Sequence, residues 1–111
     1  MTRELTEPQK EALELWIAEL EAGHRQTKSK LVTPKGKAMC ALGVRSYAYL
    51  KAMGRLPKNT SDLRLFINNA IINAYNWCPI DWVDGKRITA LNDYYDMTLS
   101  EIAQWLRKEY L

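Results

Sequence analysis

Three side chains in this sequence have the chemistry of soft metal ligands or of a catalytic nucleophile with its base. They are His24, Cys40 and Cys78, and each stands alone in its part of the chain. Zinc sites are usually marked by cysteine or histidine pairs separated by about two to five residues, and no such pair occurs here. The spacing therefore predicts no metal site and no bound cofactor.

Cys40 is the candidate for nucleophilic catalysis. It lies near the predicted start of a helix and close to Lys35 and Lys37, and a helix N-terminus and nearby cations both lower a thiol pKa. In a Cys40-based hydrolase, His24 would act as the general base and Asp93 would orient its ring. The competing interpretation is a structural thiol, because free cysteine is among the most buried residue types. We favour the structural interpretation and predict a protein that is not an enzyme.

Carboxylates offer a second route to chemistry. Asp81 with Asp84, and Asp93 with Asp96, are the pairs that acid–base catalysis or magnesium binding would use. Asp84 precedes a glycine and is equally typical of a turn, and aspartates near tight connections often bond the local backbone. Neither G-x-G-x-x-G nor G-x-x-x-x-G-K occurs, so the sequence predicts no nucleotide hydrolysis.

Basic residues are concentrated in one window of the chain. The net charge is only +3, yet residues 22–61 hold nine cations and no acid, whereas residues 1–21 hold six glutamates. This window either packs beside the acidic first helix or binds a polyanion such as nucleic acid or a nucleotide. For the second alternative, the polyanion site falls within segment 25–58, and its candidate residues are Arg25, Lys28, Lys30, Lys35 and Lys37.

Aromatic residues are the remaining candidates for binding. The chain has four tryptophans and six tyrosines among 111 residues, which is more than one small core needs. Tryptophan and tyrosine dominate the energetics of protein–protein interfaces. The predicted protein-binding residues are Trp82, Tyr94, Tyr95 and Trp105.

These candidates must be positioned by a small folded unit. The chain is 47% hydrophobic and 26% charged, which excludes global disorder, and its length suits one domain over residues 1–111. No apolar run is long enough to span a membrane, and the N-terminus has no segment typical of a secretory signal. Together with two widely separated cysteines, this predicts free thiols in a reducing cytoplasm.

Periodicity predicts helices at both ends of the chain. Thr6 and Gln9 form a capping-box pattern, and so do Thr98 and Glu101. After each box, apolar residues recur at the spacing of one buried helical face. Gly23 is the predicted stop for the first helix.

Two further helices are predicted between these ends. One spans about residues 38 to 53, with Gly43 allowing a close approach and Gly54 ending it. The other spans residues 60 to 77 and should be the central, most buried helix. Its predicted apolar face comprises Leu63, Phe66, Ile67, Ala70, Ile71, Ala74 and Tyr75.

The segment around residues 80–89 is the least defined. Asp84-Gly85 between two short apolar runs predicts a β-hairpin or a structured loop. The predicted fold is therefore mainly α, a single compact domain of about four helices with a short hairpin at this position as the one β alternative.

Four motifs together resemble a known group of proteins. They are W-x-x-x-L-x-x-G-x-x-Q at residues 16–26, C-A-L-G-V at 40–44, L-N-D at 91–93 and E-I-A-x-W-L at 101–106. The combination is similar to a family of small phage- and prophage-encoded proteins of no assigned activity, in which a double cysteine stands where this chain has Met39 and Cys40. The resemblance implies a viral origin and a site of action inside a bacterial host cell.

From these features we predict a phage-derived accessory protein that binds stoichiometrically to a host or viral protein. The alternative is nucleic-acid or nucleotide binding through segment 25–58. Substituting the lysines of that segment should separate the two, because phosphate contacts make binding depend on charge and salt.

Overall fold

Two capping boxes fix the starts of the first and last helices. In this computed structural model, which describes residues 4–111 except for the side chain of Trp82, α1 spans Glu7–Leu20 and α6 spans Leu99–Tyr110. The Gln9 backbone N–H donates to Thr6 Oγ1 at 3.3 Å, and the Thr6 N–H donates back to Gln9 Oε1 at 3.0 Å. Thr98 and Glu101 make the equivalent pair at 3.1 and 2.9 Å. Both predicted capping boxes are confirmed.

The chain between these helices is also mainly helical, as predicted, but it contains more helices than expected. The remaining elements are α2 (Ala41–Ala52), a 3₁₀ turn (Thr60–Asp62), α3 (Leu63–Asn69), α4 (Ile71–Trp77) and α5 (Trp82–Asp93). Residues 4–111 therefore form six α-helices, where about four were predicted. Over residues 4–111 there is no strand, only isolated bridges from Met39 to Gln26 and Val32.

One hydrophobic core joins the helices. The predicted stripe of α1, formed by Leu13, Trp16, Ile17 and Leu20, is fully buried and packs against α2 and α6. The radius of gyration of 12.9 Å matches the value of about 13 Å expected for a compact domain of this length. No helix in the described part of the chain has the length and apolar character needed to cross a membrane.

Gly43 allows α2 to approach the preceding loop closely. A Cβ atom at this position would lie 2.0 Å from the Leu31 carbonyl oxygen, which no side chain can tolerate. The Cys40 N–H donates to the same carbonyl at 3.1 Å. The predicted packing role of Gly43 is therefore confirmed, and its partner is the loop backbone.

The predicted β-hairpin near residues 80–89 is wrong. Asp81 is the N-cap of α5, and its Oδ1 accepts the backbone N–H of Asp84 at 2.9 Å. Asp84 then lies in the first helical turn, where it accepts a hydrogen bond from the Tyr110 hydroxyl at 2.7 Å. An N-cap aspartate therefore prevails over the turn preference of Asp84-Gly85, which would have needed two alternating strands beside it.

The predicted central helix over residues 60–77 is also wrong in two respects. It is divided at Ala70, whose N–H donates to Ile67 at 3.1 Å in a 3₁₀-type turn that ends α3. It is not the most buried helix, because Leu65 is 60% exposed and Ile72 is 74% exposed. Ile71 and Tyr75, assigned to the inner face, are exposed as well. The buried residues form a narrower stripe: Leu63, Ile67, Ala70, Ala74 and Cys78.

Candidate functional site

The five basic residues predicted to bind a polyanion lie in an ordered loop. Residues 24–40, here called the basic loop, join α1 to α2 without regular secondary structure. Buried Met39 organises it, because its N–H donates to the Arg25 carbonyl at 2.8 Å and its carbonyl accepts the Thr27 N–H at 3.0 Å. The Thr33 N–H donates to the Ala38 carbonyl at 2.9 Å and closes the distal turn. These bonds give the loop a defined course.

Asn92 in α5 ties the basic loop to the helices. Its Oδ1 accepts hydrogen bonds from Gln26 Nε2 at 2.8 Å and from the Ala41 N–H at 3.2 Å. Its Nδ2 donates to the Thr27 carbonyl at 2.9 Å and to Asp93 Oδ1 at 2.8 Å. The side chain is buried, and all four of its hydrogen-bonding positions are filled. Asn92 therefore joins the loop, the start of α2 and the end of α5.

The same junction brings the loop against the turn between α5 and α6. Residues 94–98, here called the α5–α6 corner, follow Asp93, whose Oδ1 accepts the Ser29 N–H at 3.0 Å. Gln26 Nε2 also donates to the Met97 carbonyl at 2.7 Å. Lys28 forms an ion pair with Asp96 of the corner. The basic loop and the α5–α6 corner are thus neighbouring surfaces.

The α5–α6 corner presents two tyrosines to solvent. Tyr94 is 79% exposed and Tyr95 is 71% exposed. The corner is held in shape because Asp96 adopts a left-handed φ of 53° and the Met97 N–H returns to the Leu91 carbonyl at 3.1 Å. Of the other predicted protein-binding residues, Trp105 is half-buried against the core, and the side chain of Trp82 lies outside the described residues.

The basic residues predicted to bind a polyanion do not all line the same part of the loop surface. Arg25, Lys35 and Lys37 line one shallow groove of about 460 Å³. Lys30 borders a different pocket, of about 230 Å³, beside Cys40. Of the five predicted residues, only Lys28 has an acidic partner among residues 4–111.

Contact with the acidic first helix accounts for little of this positive charge. From the basic window only His24 and Lys51 reach an acid of α1, and both bind Glu19 at 2.8 Å. Burial opposes ionisation of Glu19, but hydrogen bonds from His24 and Lys51 outweigh it and hold the Glu19 pKa below its usual value. Arg25, Lys35 and Lys37 of the groove therefore have no acidic partner among the residues that the structure describes.

The structure does not assemble the nucleophile and base considered for Cys40. Cys40 is the N-cap of α2, and its Sγ accepts the Gly43 N–H at 3.5 Å. Burial raises the pKa of this thiol, and the nearby Asp93 carboxylate raises it further. His24 lies against Glu19 and the edge of the Tyr47 ring instead. Cys40 thus has a capping role, and both cysteines are free thiols, as expected.

The aspartate pairs likewise have structural partners. Asp81 and Asp84 cap and anchor α5, while Asp93 and Asp96 hold the basic loop. Among the residues that the structure describes, no three histidine, cysteine or carboxylate side chains converge as a metal site would need.

Residues from three of the four motifs that carry the family resemblance are joined by hydrogen bonds at the loop junction. Trp16 Nε1 donates to the Ala41 carbonyl at 3.0 Å, which joins the first motif to the second. Gln26 and Ala41 both bond Asn92 of the L-N-D motif. The sequence did not predict this junction, although the motifs that form it were already visible. Comparisons with protein-family models, curated proteins and solved structures found no match, so the resemblance to phage- and prophage-encoded proteins stays a prediction.

Proposed function

We propose that this protein binds single-stranded nucleic acid stoichiometrically, without turnover, across the basic loop and the α5–α6 corner. One observation carries the proposal: an ordered loop, in which Arg25, Lys35 and Lys37 have no acidic partner among residues 4–111, touches a corner bearing two exposed tyrosines. The proposed surface combines members of two sets of residues that the sequence offered as competing sites, the cations of the basic loop and Tyr94 with Tyr95.

The chemistry of the two groups is complementary. Arg25, Lys35 and Lys37 can neutralise successive phosphates, and binding then gains from the release of counterions. Tyr94 and Tyr95 offer ring faces on which unpaired bases can stack, a contribution of about 1–3 kcal/mol per base. A single strand suits both, because its bases are exposed and its backbone can bend between the groove and the corner.

Fluorescence anisotropy with a labelled single-stranded oligonucleotide tests the proposal. Changing Arg25, Lys35 and Lys37 together to glutamine should weaken binding by about tenfold or more at low salt. The matched control changes Arg55, Lys58 and Arg64 to glutamine, which removes equal charge from exposed positions outside the loop. Equal losses in both variants would show that net charge alone drives binding and would contradict the proposed site.

A host or viral protein as partner is the second candidate, and exposed apolar side chains favour it. Leu65 and Ile72 face solvent together with the two corner tyrosines, and apolar or aromatic surface is what protein interfaces use. If a protein is bound, Tyr95→Ser should abolish capture of one partner from nuclease-treated bacterial lysate, whereas the glutamine triple variant should retain it. The family resemblance would place either interaction in the cytoplasm of a bacterial host.

A further inference from the structure

Arg45 of α2 is a buried cation that has no counter-ion in the part of the chain that the structure describes. Only 7% of the residue is exposed, and no carboxylate of residues 4–111 lies within ion-pair distance. Its one hydrogen bond runs from Nη1 to the Cys78 carbonyl at a long 3.4 Å, and buried Nε has no acceptor. A buried charge is strongly destabilising unless an opposite charge or hydrogen bonds compensate it. Among residues 4–111, the buried Nε therefore has no acceptor, and Nη2 makes no hydrogen bond.

Aromatic rings hold the guanidinium in place. Its Cζ lies 5.6 Å from the ring centre of Trp16 and 5.5 Å from that of Tyr75. Cation–π contacts of this kind offset part of the cost of burial, yet they fill none of the N–H donors. Burial lowers the pKa of Arg45, the direction expected for a cation removed from water without an anion beside it. The Arg45 side chain is thus a buried cation that packs against two aromatic rings and has incompletely satisfied N–H donors.

A pocket opens beside this guanidinium. It has a volume of about 470 Å³, within the range of small-molecule sites, and it is distinct from the groove of the basic loop. Leu42, Tyr75 and Ile80 give it apolar walls, and Lys86 and Asp81 stand at its rim. Arg45, Lys86 and Asp81 together give the pocket lining a net charge of +1, which a ligand with a single negative charge balances better than a multiply charged anion such as phosphate.

We propose that this pocket binds a small monocarboxylate with an apolar body, the carboxylate on Arg45 and the body against Leu42 and Ile80. A carboxylate matches the guanidinium fork with two parallel hydrogen bonds. The apolar walls would gain from covering an alkyl or aryl chain. This site lies outside the proposed nucleic-acid surface, so either can fail without the other.

Titration of the full chain with hexanoate, hexanamide and inorganic phosphate tests this inference. Hexanoate should bind about tenfold or more tightly than hexanamide, because the amide cannot form the charge-assisted pair. Phosphate should bind more weakly than hexanoate. The NMR signals of Arg45 Nε–H and Trp16 Nε1–H should move with hexanoate and locate it. Equal affinity for the amide, tighter binding of phosphate, or unmoved signals would overturn the proposal.

Variants on two sides of the pocket keep the test independent of folding. Arg45→Met should abolish the preference for hexanoate over hexanamide and should raise the melting temperature, because an unpaired buried charge is removed. Gly85→Leu should lower hexanoate affinity about tenfold by filling the pocket. Gly85→Ala is its control, because the added Cβ meets only Ile80 Cδ1 at an ordinary 3.8 Å. Unchanged affinity in Gly85→Leu would place hexanoate elsewhere and contradict the site.

Discussion

The junction at Asn92 and the break at Ala70 join helices in opposite ways. At Asn92, the hydrogen bonds of one buried side chain with Gln26, Thr27 and Ala41 connect a loop and two helices. At Ala70, α3 passes into α4 without a side-chain cap, and large apolar residues on both sides face solvent. The comparison shows that a run of apolar residues does not by itself specify a buried helix. Burial needs a partner surface, which α1 finds against α2 and α6.

The sharpest contrast is between a buried isoleucine of α1, which has partner helices, and an exposed isoleucine of α4, beside the break at Ala70. Ile17→Ala should lower the free energy of unfolding by about 3–4 kcal/mol, because Ile17 is fully buried in the core. Ile72→Ala in α4 should change it by less than about 0.5 kcal/mol. Urea denaturation of both variants measures the difference. Similar losses would mean that Ile72 is covered in solution, and the comparison would then fail.

Substitution of Asn92 should destabilise the protein almost as much as substitution of Ile17. Asn92→Ala leaves the Ala41 N–H and the Thr27 carbonyl without their partners, and we expect a loss of about 3 kcal/mol. Asn68→Ala, on the exposed side of α3, is the matched control and should cost almost nothing. Urea denaturation measures both, and hydrogen exchange of Thr27 and Ser29 should accelerate only in the first variant. A loss under about 1 kcal/mol for Asn92→Ala would contradict its role as the junction.

Two helical glycines allow a test of close backbone packing, because only one of them lies against a neighbouring segment of the chain. Gly43→Ala should destabilise the protein by about 2 kcal/mol, because its Cβ would collide with the Leu31 carbonyl. Gly85→Ala in α5 meets no such obstacle and should stabilise by up to about 1 kcal/mol, since alanine is the better helix former. Thermal unfolding of the two variants should therefore shift in opposite directions. Shifts of the same sign would refute the close approach.

The smallest expected effect depends on pH and concerns Glu19. Its pKa is lowered in the folded state, so the ionised form stabilises the protein above the usual value of 4.5, and this stability is lost as pH falls through the lower folded-state pKa. At pH 6, we expect the free energy of unfolding of the wild-type protein to be about 1 kcal/mol higher than that of the Glu19→Gln variant. This difference in the free energy of unfolding should decrease toward pH 3, and urea denaturation at a series of pH values measures it. A gap that widens on acidification would reverse the assigned sign.

Local signals in the sequence were sufficient for part of the fold. The capping residues Thr6 and Thr98 and the stripes after them predicted α1 and α6, since both caps and stripes act within a few residues. The hairpin at residues 80–89 was a wrong prediction because Asp81 and Asp84 can serve either a turn or a helix start. The long helix over residues 60–77 was wrong because periodicity cannot say how much partner surface is available.

The candidate site could be predicted only as separate pieces. Charge segregation identified Lys35 and Lys37, and residue type identified Tyr94 and Tyr95. The contact between the basic loop and the α5–α6 corner depends on hydrogen bonds such as that of Gln26 with Asn92, which lie 66 residues apart in the chain. The sequence also could not predict that Arg45 has no counter-ion among residues 4–111, because only the folded structure shows which carboxylates lie near it.

The salt dependence of single-strand binding tests the proposed surface most directly. If Arg25, Lys35 and Lys37 contact phosphates, the logarithm of the binding constant should fall against the logarithm of salt concentration with a slope of about −2. Their glutamine triple variant should bring that slope close to zero, while the control at Arg55, Lys58 and Arg64 should keep it. Absence of binding at low salt, or an unchanged slope in the triple variant, would contradict the assignment of this surface to nucleic acid.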